Sequence, residues 1–465
     1  MFKQTTVLIL IIYLLTNVAF AQSPGKYKSK EIYDFSLQIG ESAKNKIWNE
    51  FDFRKYTRQK NDSEGGYISF STAPGEQGDQ TFAWKVIDDY FLNHTVEEDL
   101  SITFHEAFHA FQRDPKRAGA KWGAENSLLI FEYQESSARN NALFTIESRI
   151  LQSALHSKNK GDLKKKVAQF LAIRKLRQGE FEPRFVEFEK GAELNEGLAE
   201  YAGTKAVLAG MQADKRKEIS ISFTEPNADA YLNKKYEKLD SITKIGRNIR
   251  LKFYYTGSAQ GFLLDRLMSD WKTKVQMEGK SLQDLLETSV GKLPPEKAVA
   301  AILRRNGYEN IIGEEEKAVA QRKTDNQSLL EKTLNQKGRK YTIDFSALVK
   351  PGGIRNFDPM NVTMVMPKIR VHTRFVKFAS DGIFTANFSQ PVVEDLQNKR
   401  YTTVLPENAN ESITVDGTVI DLSKPAEIQF DKKLVIISSN FNLEAVAGIV
   451  KISNEEILIR LTDKK

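Results

Sequence analysis

The pattern of apolar residues changes near residue 340, and this change constrains the fold more than any other feature of the chain. Before it, from Thr95 to about Gly210 and in pieces as far as Gln336, apolar side chains recur at helical spacing. After it, short β-rich runs, among them 369–378, alternate with turn residues such as Asp381-Gly382 and Asp416-Gly417. The two patterns predict an α+β protein that ends in an all-β sandwich or barrel.

Within the first region, residues 22 to about 94 combine helical and strand-like patterns. Helical spacing covers 31–48, and β-rich runs at 67–72 and 81–86 predict a small N-terminal sheet. Longer helices are then predicted over 95–113, 126–156, 162–178, 183–211 and 255–271, and Thr95 with Glu98 makes a capping box at the start of the first of them. We therefore expect a signal peptide (1–21), a mainly helical domain (22–340) and a β-sandwich-like accessory domain (341–465).

The first 21 residues are typical of a cleavable signal peptide. Lys3 supplies a positive charge, residues 7–15 are almost entirely apolar, and Ala19-Phe20-Ala21 is a small-x-small cleavage pattern. An uncleaved anchor is the alternative interpretation, although the apolar run is short for a membrane span. No later segment approaches such a span. The pattern predicts a secreted or periplasmic protein with no transmembrane segment in its mature chain.

The amino-acid composition excludes several classes of function. The chain has no cysteine, which excludes a lipid-modified cysteine, thiolate metal ligands and cysteine nucleophiles. Its formal net charge of +7 is spread along the chain rather than clustered with aromatic residues. We therefore expect no nucleic-acid partner.

One short motif carries the clearest chemistry. His105-Glu106-Ala107-Phe108-His109 matches the metal-binding pattern His-Glu-x-x-His. Residues four apart lie one above the other on a helix, so both imidazoles can reach one ion. Glu106 projects about 100° around the helix, where it can face a water molecule without being a ligand itself. The alternative is a chance pair of histidines with no metal.

The residues around the motif support a buried helix with one functional face. The apolar residues of this helix form a continuous stripe that can pack into a core: Leu100, Phe104, Ala107, Phe108 and Phe111. His105, His109 and Gln112 lie on the neighbouring face. We expect that second face to line a cleft.

A catalytic zinc normally has three protein ligands, so two histidines leave the ion one ligand short. A later acidic helix supplies candidates, because Glu189, Glu193, Glu196 and Glu200 fall on one face of it. Like charges at this spacing repel one another, so we expect this strip of four glutamates to face cations. A metal ion bound by the two histidines would be such a cation. A solvated acidic face bridged to nearby lysines is the alternative.

Together, the His-Glu-x-x-His motif and the segment Asn195-Glu196-Gly197-Leu198-Ala199-Glu200 resemble the gluzincin metallopeptidases, and are closest to the Asn-Glu-Gly-x-Ala form of zinc aminopeptidases. The resemblance implies a zincin-like catalytic domain that binds one Zn²⁺ ion. It implies that Glu196 is the third ligand and that Glu200 hydrogen-bonds a liganding histidine. Glu193 is a further candidate for such a supporting position around the ligands. Tyr254-Tyr255-Thr256-Gly257 resembles the Tyr-x-x-Gly of those aminopeptidases, which implies that Tyr254, with Tyr255 close behind, stabilises an oxyanion. A packing role for the two rings is the alternative.

The chain also departs from the family pattern. His109 and Glu196 are 87 residues apart, much farther than is usual in gluzincins, and we expect an inserted pair of long helices to fill the gap. The Gly-x-Met-Glu-Asn strand that holds a free amino terminus in aminopeptidases is absent. The family chemistry is therefore expected without aminopeptidase specificity.

These features predict a zinc metallopeptidase that hydrolyses a peptide or protein substrate by an activated water, with Glu106 as the general base. Two alternatives remain. The chain could be a non-catalytic cell-surface or polysaccharide-binding protein with a structural or vestigial metal site. It could also be a zinc hydrolase of other amides or esters.

Overall fold

The structure is a computed structural model that describes residues 27–43, 45–62, 65–72, 83–87, 94–114, 125–126, 129–130, 132–133, 137–216, 221–241, 249–358, 361–406 and 409–463. The signal peptide predicted for residues 1–21 lies outside the described residues. Across the described helices, none combines the length and apolarity needed to cross a bilayer.

The chain divides into two compact units, the first ending at Glu316 and the second running from Lys317 to Lys465. We call them the helical unit and the β unit. The division falls inside a long helix, Tyr308–Leu334, rather than at the change of sequence pattern near residue 340.

The helical unit contains a small three-stranded antiparallel sheet, as the sequence predicts. It is formed by β1 (Thr57–Asp62), β2 (Gly65–Ser71) and β3 (Ala83–Ile87), in the order β1-β2-β3. Its helices are α1 (Ser29–Ser42), α2 (Phe53–Tyr56), α3 (Val96–Gln112), α4 (Ala138–Leu155), α5 (Lys160–Gln178), α6 (Pro183–Ala192), α7 (Leu198–Lys215), α8 (Ala228–Ser241), α9 (Ile249–Leu267), α10 (Trp271–Thr273), α11 (Leu282–Val290) and α12 (Glu296–Arg305), followed by α13 (Tyr308–Leu334). Two π-helical turns, Glu193–Gly197 and Lys274–Glu278, continue α6 and α10.

Polar side chains fix where several of these helices begin. The predicted capping box at the start of α3 is confirmed, since Thr95 and Glu98 each accept from the other's backbone N–H. The prediction of one helix over 126–156 is wrong at its start. The helix α4 begins only at Ala138, because the Ser137 side chain caps it by accepting from Asn140 N.

The helices α4 and α5 form the pair that was expected to fill the gap between His109 and Glu196, joined by a short turn that ends at Asn159. That expectation is confirmed. This helix pair contacts the segment that carries the four glutamates, because Arg174 donates a hydrogen bond to Glu193. The pair therefore supports that segment as well as filling the gap.

The helix α3 runs through the core of the helical unit. Its predicted apolar stripe is fully buried, and Phe104 packs against Phe53 with ring centroids 4.6 Å apart. The histidine face is buried as well, with His105 1% and His109 2% exposed. Among the described residues, this face is therefore covered rather than open as a cleft wall.

The β unit consists of two sheets. Its strands are β4 (Arg339–Asp344), β5 (Gly353–Phe357), β6 (Val362–Met366), β7 (Ile369–His372), β8 (Val376–Ser380), β9 (Phe384–Phe388), β10 (Val392–Asp395), β11 (Arg400–Leu405), β12 (Ser412–Val415), β13 (Thr418–Val419), β14 (Ala426–Phe430), β15 (Leu434–Ile437), β16 (Phe441–Ala445), β17 (Gly448–Ile452) and β18 (Glu456–Leu461). The first sheet has eight strands in the order β14-β17-β18-β4-β11-β10-β7-β6, and the second has seven in the order β13-β12-β15-β16-β9-β8-β5. Every pairing between these strands is antiparallel except that of β18 with β4.

Aromatic side chains from both sheets meet in one apolar core. Phe378 of β8 stacks on Tyr401 of β11 with ring centroids 3.9 Å apart, and Tyr341 of β4 contacts Phe441 of β16. Both described sheets are open, so the predicted barrel alternative is wrong. The β-rich run over 369–378 is also two strands rather than one, because β7 and β8 belong to different sheets.

Candidate metal centre

Three side chains converge inside the helical unit. Glu196 Oε2 lies 3.2 Å from His109 Nε2 and 3.4 Å from His105 Nε2. One ligand atom from each of the three residues lies within 4.8 Å of the others, and all three residues are buried. A buried group of two imidazoles and one carboxylate at this separation could hold a metal ion.

Close helix crossings bring these ligands together. A Cβ atom on Gly203 of α7 would lie 2.4 Å from the Ser101 carbonyl oxygen of α3, so only glycine lets the two helices approach this far. Gly197 and Gly257 meet in the same way, since a Cβ on Gly197 would lie 2.5 Å from Gly257 Cα. Gly197 belongs to the Asn-Glu-Gly motif and Gly257 to the Tyr-x-x-Gly motif, so close packing explains both glycines. Together they let the segment that carries Glu196 lie against α9.

The π-helical turn Glu193–Gly197 divides the acidic strip in two. On an uninterrupted α-helix, Glu189, Glu193, Glu196 and Glu200 share one face, as expected from their spacing. A π turn adds a residue to one turn and so rotates the residues after it, and such turns often occur at functional sites. The expectation of a single acidic face is therefore wrong. Glu196 and Glu200 face the histidines, whereas Glu189 and Glu193 face other cations.

Those other cations are two buried arginines of α5. Arg174 donates to both carboxylate oxygens of Glu193, at 2.8 and 2.9 Å, and Arg177 donates to Glu189 and to Glu147 of α4. The alternative of a solvated acidic face is also wrong, because Glu189 and Glu193 are buried. Although Glu193 does not contact the histidines, it accepts from Thr256 Oγ1 at 2.6 Å. It thereby ties the π turn to α9.

Each histidine has a partner on its second ring nitrogen. His109 Nδ1 lies 2.9 Å from Gln112 Oε1, and the Gln112 amide donates to the Leu194 carbonyl oxygen at 3.0 Å. His105 Nδ1 lies 3.6 Å from Glu200 Oε2, and Glu200 also pairs with Lys235. Partners of this kind set the tautomer and the orientation of a liganding imidazole. Gln112 was placed on the histidine face by its spacing, whereas the role of Lys235 has no signal in the sequence.

The second oxygen of Glu196 is held by donors away from the histidines. Glu196 Oε1 accepts from Arg250 Nη2 at 2.6 Å and from Asn195 Nδ2 at 3.0 Å. Arg250 also donates twice to Glu125, at 2.7 and 2.8 Å. Arg250 and Glu125 were not predicted from the sequence, because nothing in their local pattern points to Glu196.

Glu106 lies beside the three converging side chains but is not one of them. It is 2% exposed, and its Oε1 has no hydrogen-bond partner among the residues the structure describes. Burial raises the pKa of Glu106 to about 7, while His105, Arg113 and Arg250 act against that rise. A carboxylate whose pKa lies near neutrality is suited to accept and return a proton.

The two tyrosines lie in different surroundings. The Tyr254 ring stacks on the His105 ring with centroids 5.4 Å apart and an interplanar angle of 14°. Burial raises the pKa of Tyr254, and the nearby Glu196 carboxylate raises it further, so the phenol stays protonated. Tyr255 instead packs against Lys238, whose Nζ lies 5.5 Å from the ring centroid. The structure thus brings Tyr254, rather than Tyr255, to the histidines.

The electrostatics of the three converging side chains fit a cation. Burial lowers the pKa of His109 to about 4, so its imidazole is neutral as a metal ligand requires. Burial also acts to lower the pKa of His105, but the carboxylates of Glu196 and Glu200 outweigh it and raise that pKa to about 9. Neither ring nitrogen of His105 makes a hydrogen bond of normal geometry within the described part of the chain. Buried acceptors that draw a proton onto a histidine would equally attract a divalent ion.

Comparison with known proteins adds no relative to this picture, because no protein-family model, curated protein or solved structure matches the chain.

Proposed function

We propose that this protein is an exported zinc-dependent hydrolase, and more specifically a gluzincin-like metallopeptidase that cleaves a peptide or protein substrate. One observation carries the proposal. His105, His109 and Glu196 converge in a buried group. Beside them lies the Glu106 carboxylate, whose Oε1 has no hydrogen-bond partner among the described residues. Two imidazoles with one carboxylate form a ligand set typical of catalytic zinc, which keeps a further position for solvent or substrate.

In this proposal the residues have separate tasks. His105, His109 and Glu196 hold the ion, which when bound polarises a carbonyl group and acidifies a water molecule. Glu106 accepts the proton of the attacking water and returns it to the leaving group. Because its pKa is raised to about 7, Glu106 can carry out both transfers near neutral pH.

Tyr254 is the better placed of the two tyrosines for stabilising an oxyanion. Its ring is fixed against the His105 ring, and its hydroxyl stays protonated and able to donate a hydrogen bond. Tyr255 contacts Lys238 and has a supporting role in this proposal.

The substitution Glu106→Gln tests the proposal. The variant should keep its fold and its metal, because Glu106 is not a ligand. It should lose proteolysis of unfolded casein by about 10²–10⁴-fold, the usual contribution of a general base. Activity is measured with and without a zinc chelator, and bound metal is counted by atomic absorption.

A matched control is available on the same helix. Glu98→Gln keeps a side chain that can complete the capping box and should retain full activity. Near-normal turnover by Glu106→Gln would remove Glu106 from the reaction, and wild-type protein without metal or proteolysis would overturn the proposal.

Burial of the centre favours a second candidate, a non-catalytic protein with a structural metal. Glu196 is fully buried, and His105 and His109 are almost so. Against it, a structural zinc site normally has four protein ligands, and three converge here among the residues that the structure describes. Rapid removal of the metal by a small chelator without unfolding would favour the catalytic proposal. Metal that is released only on unfolding would favour the structural one.

A further inference from the structure

The two oxygens of Glu196 face different surroundings. Oε2 points to the histidines, at 3.2 Å from His109 Nε2 and 3.4 Å from His105 Nε2. Oε1 accepts from Arg250 and from Asn195, at 2.6 and 3.0 Å. A charge-assisted hydrogen bond as short as that to Arg250 is among the stronger polar contacts a carboxylate makes. One oxygen is therefore already engaged before any ion arrives.

Arg250 is itself held in place. It lies in the first turn of α9 and its side chain is only 6% exposed. Its Nε and Nη2, the latter also the donor to Glu196, donate to the two oxygens of Glu125. The Glu125 side chain is 4% exposed and also accepts from the Asn195 amide at 2.9 Å. Glu125 balances the charge of the guanidinium, so Arg250 can approach Glu196 without leaving an uncompensated positive charge next to a cation site.

We propose that Arg250, supported by Glu125, is a positioning residue that makes Glu196 a one-oxygen metal ligand. The inference rests on the proposed metal centre and adds how its coordination is limited. With Oε1 engaged, Glu196 offers only Oε2 to the ion. The coordination position that a second carboxylate oxygen would fill is left for solvent or substrate. Loss of the guanidinium would free Oε1 to chelate the ion.

The substitution Arg250→Met tests this role. The variant keeps the length of the side chain but cannot donate, so Glu196 should bind through both oxygens. X-ray absorption of the zinc-loaded protein should then show one more oxygen ligand than in wild type. Visible absorption of the cobalt-loaded protein should weaken accordingly. Hydrolysis should fall by about 10–100-fold, the usual effect of losing an outer partner of a metal ligand.

Two comparisons separate positioning from general structural support. Arg250→Lys keeps one charged donor and should restore part of the wild-type cobalt spectrum. Arg266→Met removes an arginine at the other end of α9, whose bonds go to the Leu155 and Ser157 carbonyl oxygens. It should lower thermal stability but leave the spectrum unchanged. Where Arg250→Met does not fold, Arg250→Leu, which also has no donor, takes its place in the same comparison.

The outcomes distinguish this inference from the proposed function. Wild-type protein that binds no metal overturns the metal centre itself. Wild-type protein that binds metal, together with an Arg250 variant whose ligand number and spectrum match wild type, overturns only the role of Arg250. A changed ligand number in Arg250→Met but not in Arg266→Met supports it.

Discussion

The helical unit and the β unit have different interiors. The helical unit contains a cluster of fully buried charged groups in which Arg174 and Arg177 bind Glu147, Glu189 and Glu193. The β unit has a core of apolar and aromatic side chains, such as Phe378 stacked on Tyr401 and Phe388 stacked on Phe441. An apolar core requires only side chains of suitable shape and volume, whereas each buried charged group requires a specific partner.

This difference bears on the proposed chemistry. A buried ion pair between α5 and Glu193 holds the π turn that presents Glu196, and the candidate metal centre lies at the other side of that turn. Buried ion pairs are weak evidence for extra stability, but breaking one is strongly destabilising, since it leaves an uncompensated charge. The difference between the two units can be tested by substituting charged residues in each of them.

The largest effect on stability is expected from Arg177→Met. Arg177 donates to Glu147, Glu189, Tyr133 and Asn140, so its loss leaves two buried carboxylates without a main partner. We expect the helical unit to lose about 3–5 kcal/mol of unfolding free energy. All four tryptophans precede residue 272, so tryptophan emission during urea unfolding reports on the helical unit alone.

The control is an ion pair in the β unit. Lys451 and Glu427 lie on neighbouring strands, β17 and β14, and their side chains are 64% and 61% exposed. Lys451→Met should change the unfolding free energy of the β unit, followed by the β-sheet circular dichroism signal during urea unfolding, by less than about 1 kcal/mol, because water already solvates both charges. A loss below about 1 kcal/mol for Arg177→Met as well would contradict the distinction between the two interiors.

An effect that is smaller when taken per pH unit is expected from Asp99 in α3, through the pH dependence of stability. Its side chain is buried, and burial, with the nearby Glu98 and Glu97, raises the pKa of Asp99 from 3.8 to about 9. Between these two values the folded state holds a proton that the unfolded state releases, so stability falls as pH rises. Asp99→Asn should remove this slope, which for one proton is at most about 1.4 kcal/mol per pH unit.

Urea unfolding of wild type and Asp99→Asn at pH 5, 6, 7 and 8 measures the slope. Asp240→Asn, on an exposed ion pair with Arg149, should leave it unchanged. Identical slopes for wild type and Asp99→Asn would show that Asp99 ionises normally in the folded protein.

Local sequence signals predicted the parts of the fold that depend on local chemistry. The capping box of Thr95 and the apolar stripe through Phe104 and Phe108 fixed α3 and the face that carries the histidines. The turn at Asp416-Gly417 also has a local signal. Both residues have positive φ, at 47° and 88°, and they join β12 to β13 as a hairpin.

Features that depend on distant partners could not be predicted. The π turn at Glu193–Gly197 has no signal of its own, because its contacts are with Arg174, 19 residues before Glu193, and with Gly257 on another helix. Arg250 and Glu125 meet Glu196 only in the folded chain. Strand β1, Thr57–Asp62, is polar throughout and was missed, since it pairs with β2 without supplying an apolar face.

Zinc titration of two glutamate variants from the same π turn tests the central claim most directly. Glu196→Gln removes the proposed ligand oxygen, whereas Glu193→Gln alters a neighbour that binds Arg174 and Thr256 instead. We predict one zinc per wild-type chain, and an affinity loss above about 100-fold for Glu196→Gln, more than an outer partner usually causes. Glu193→Gln should lose far less. Equal losses in the two variants, or a wild-type chain that binds no zinc, would contradict the account.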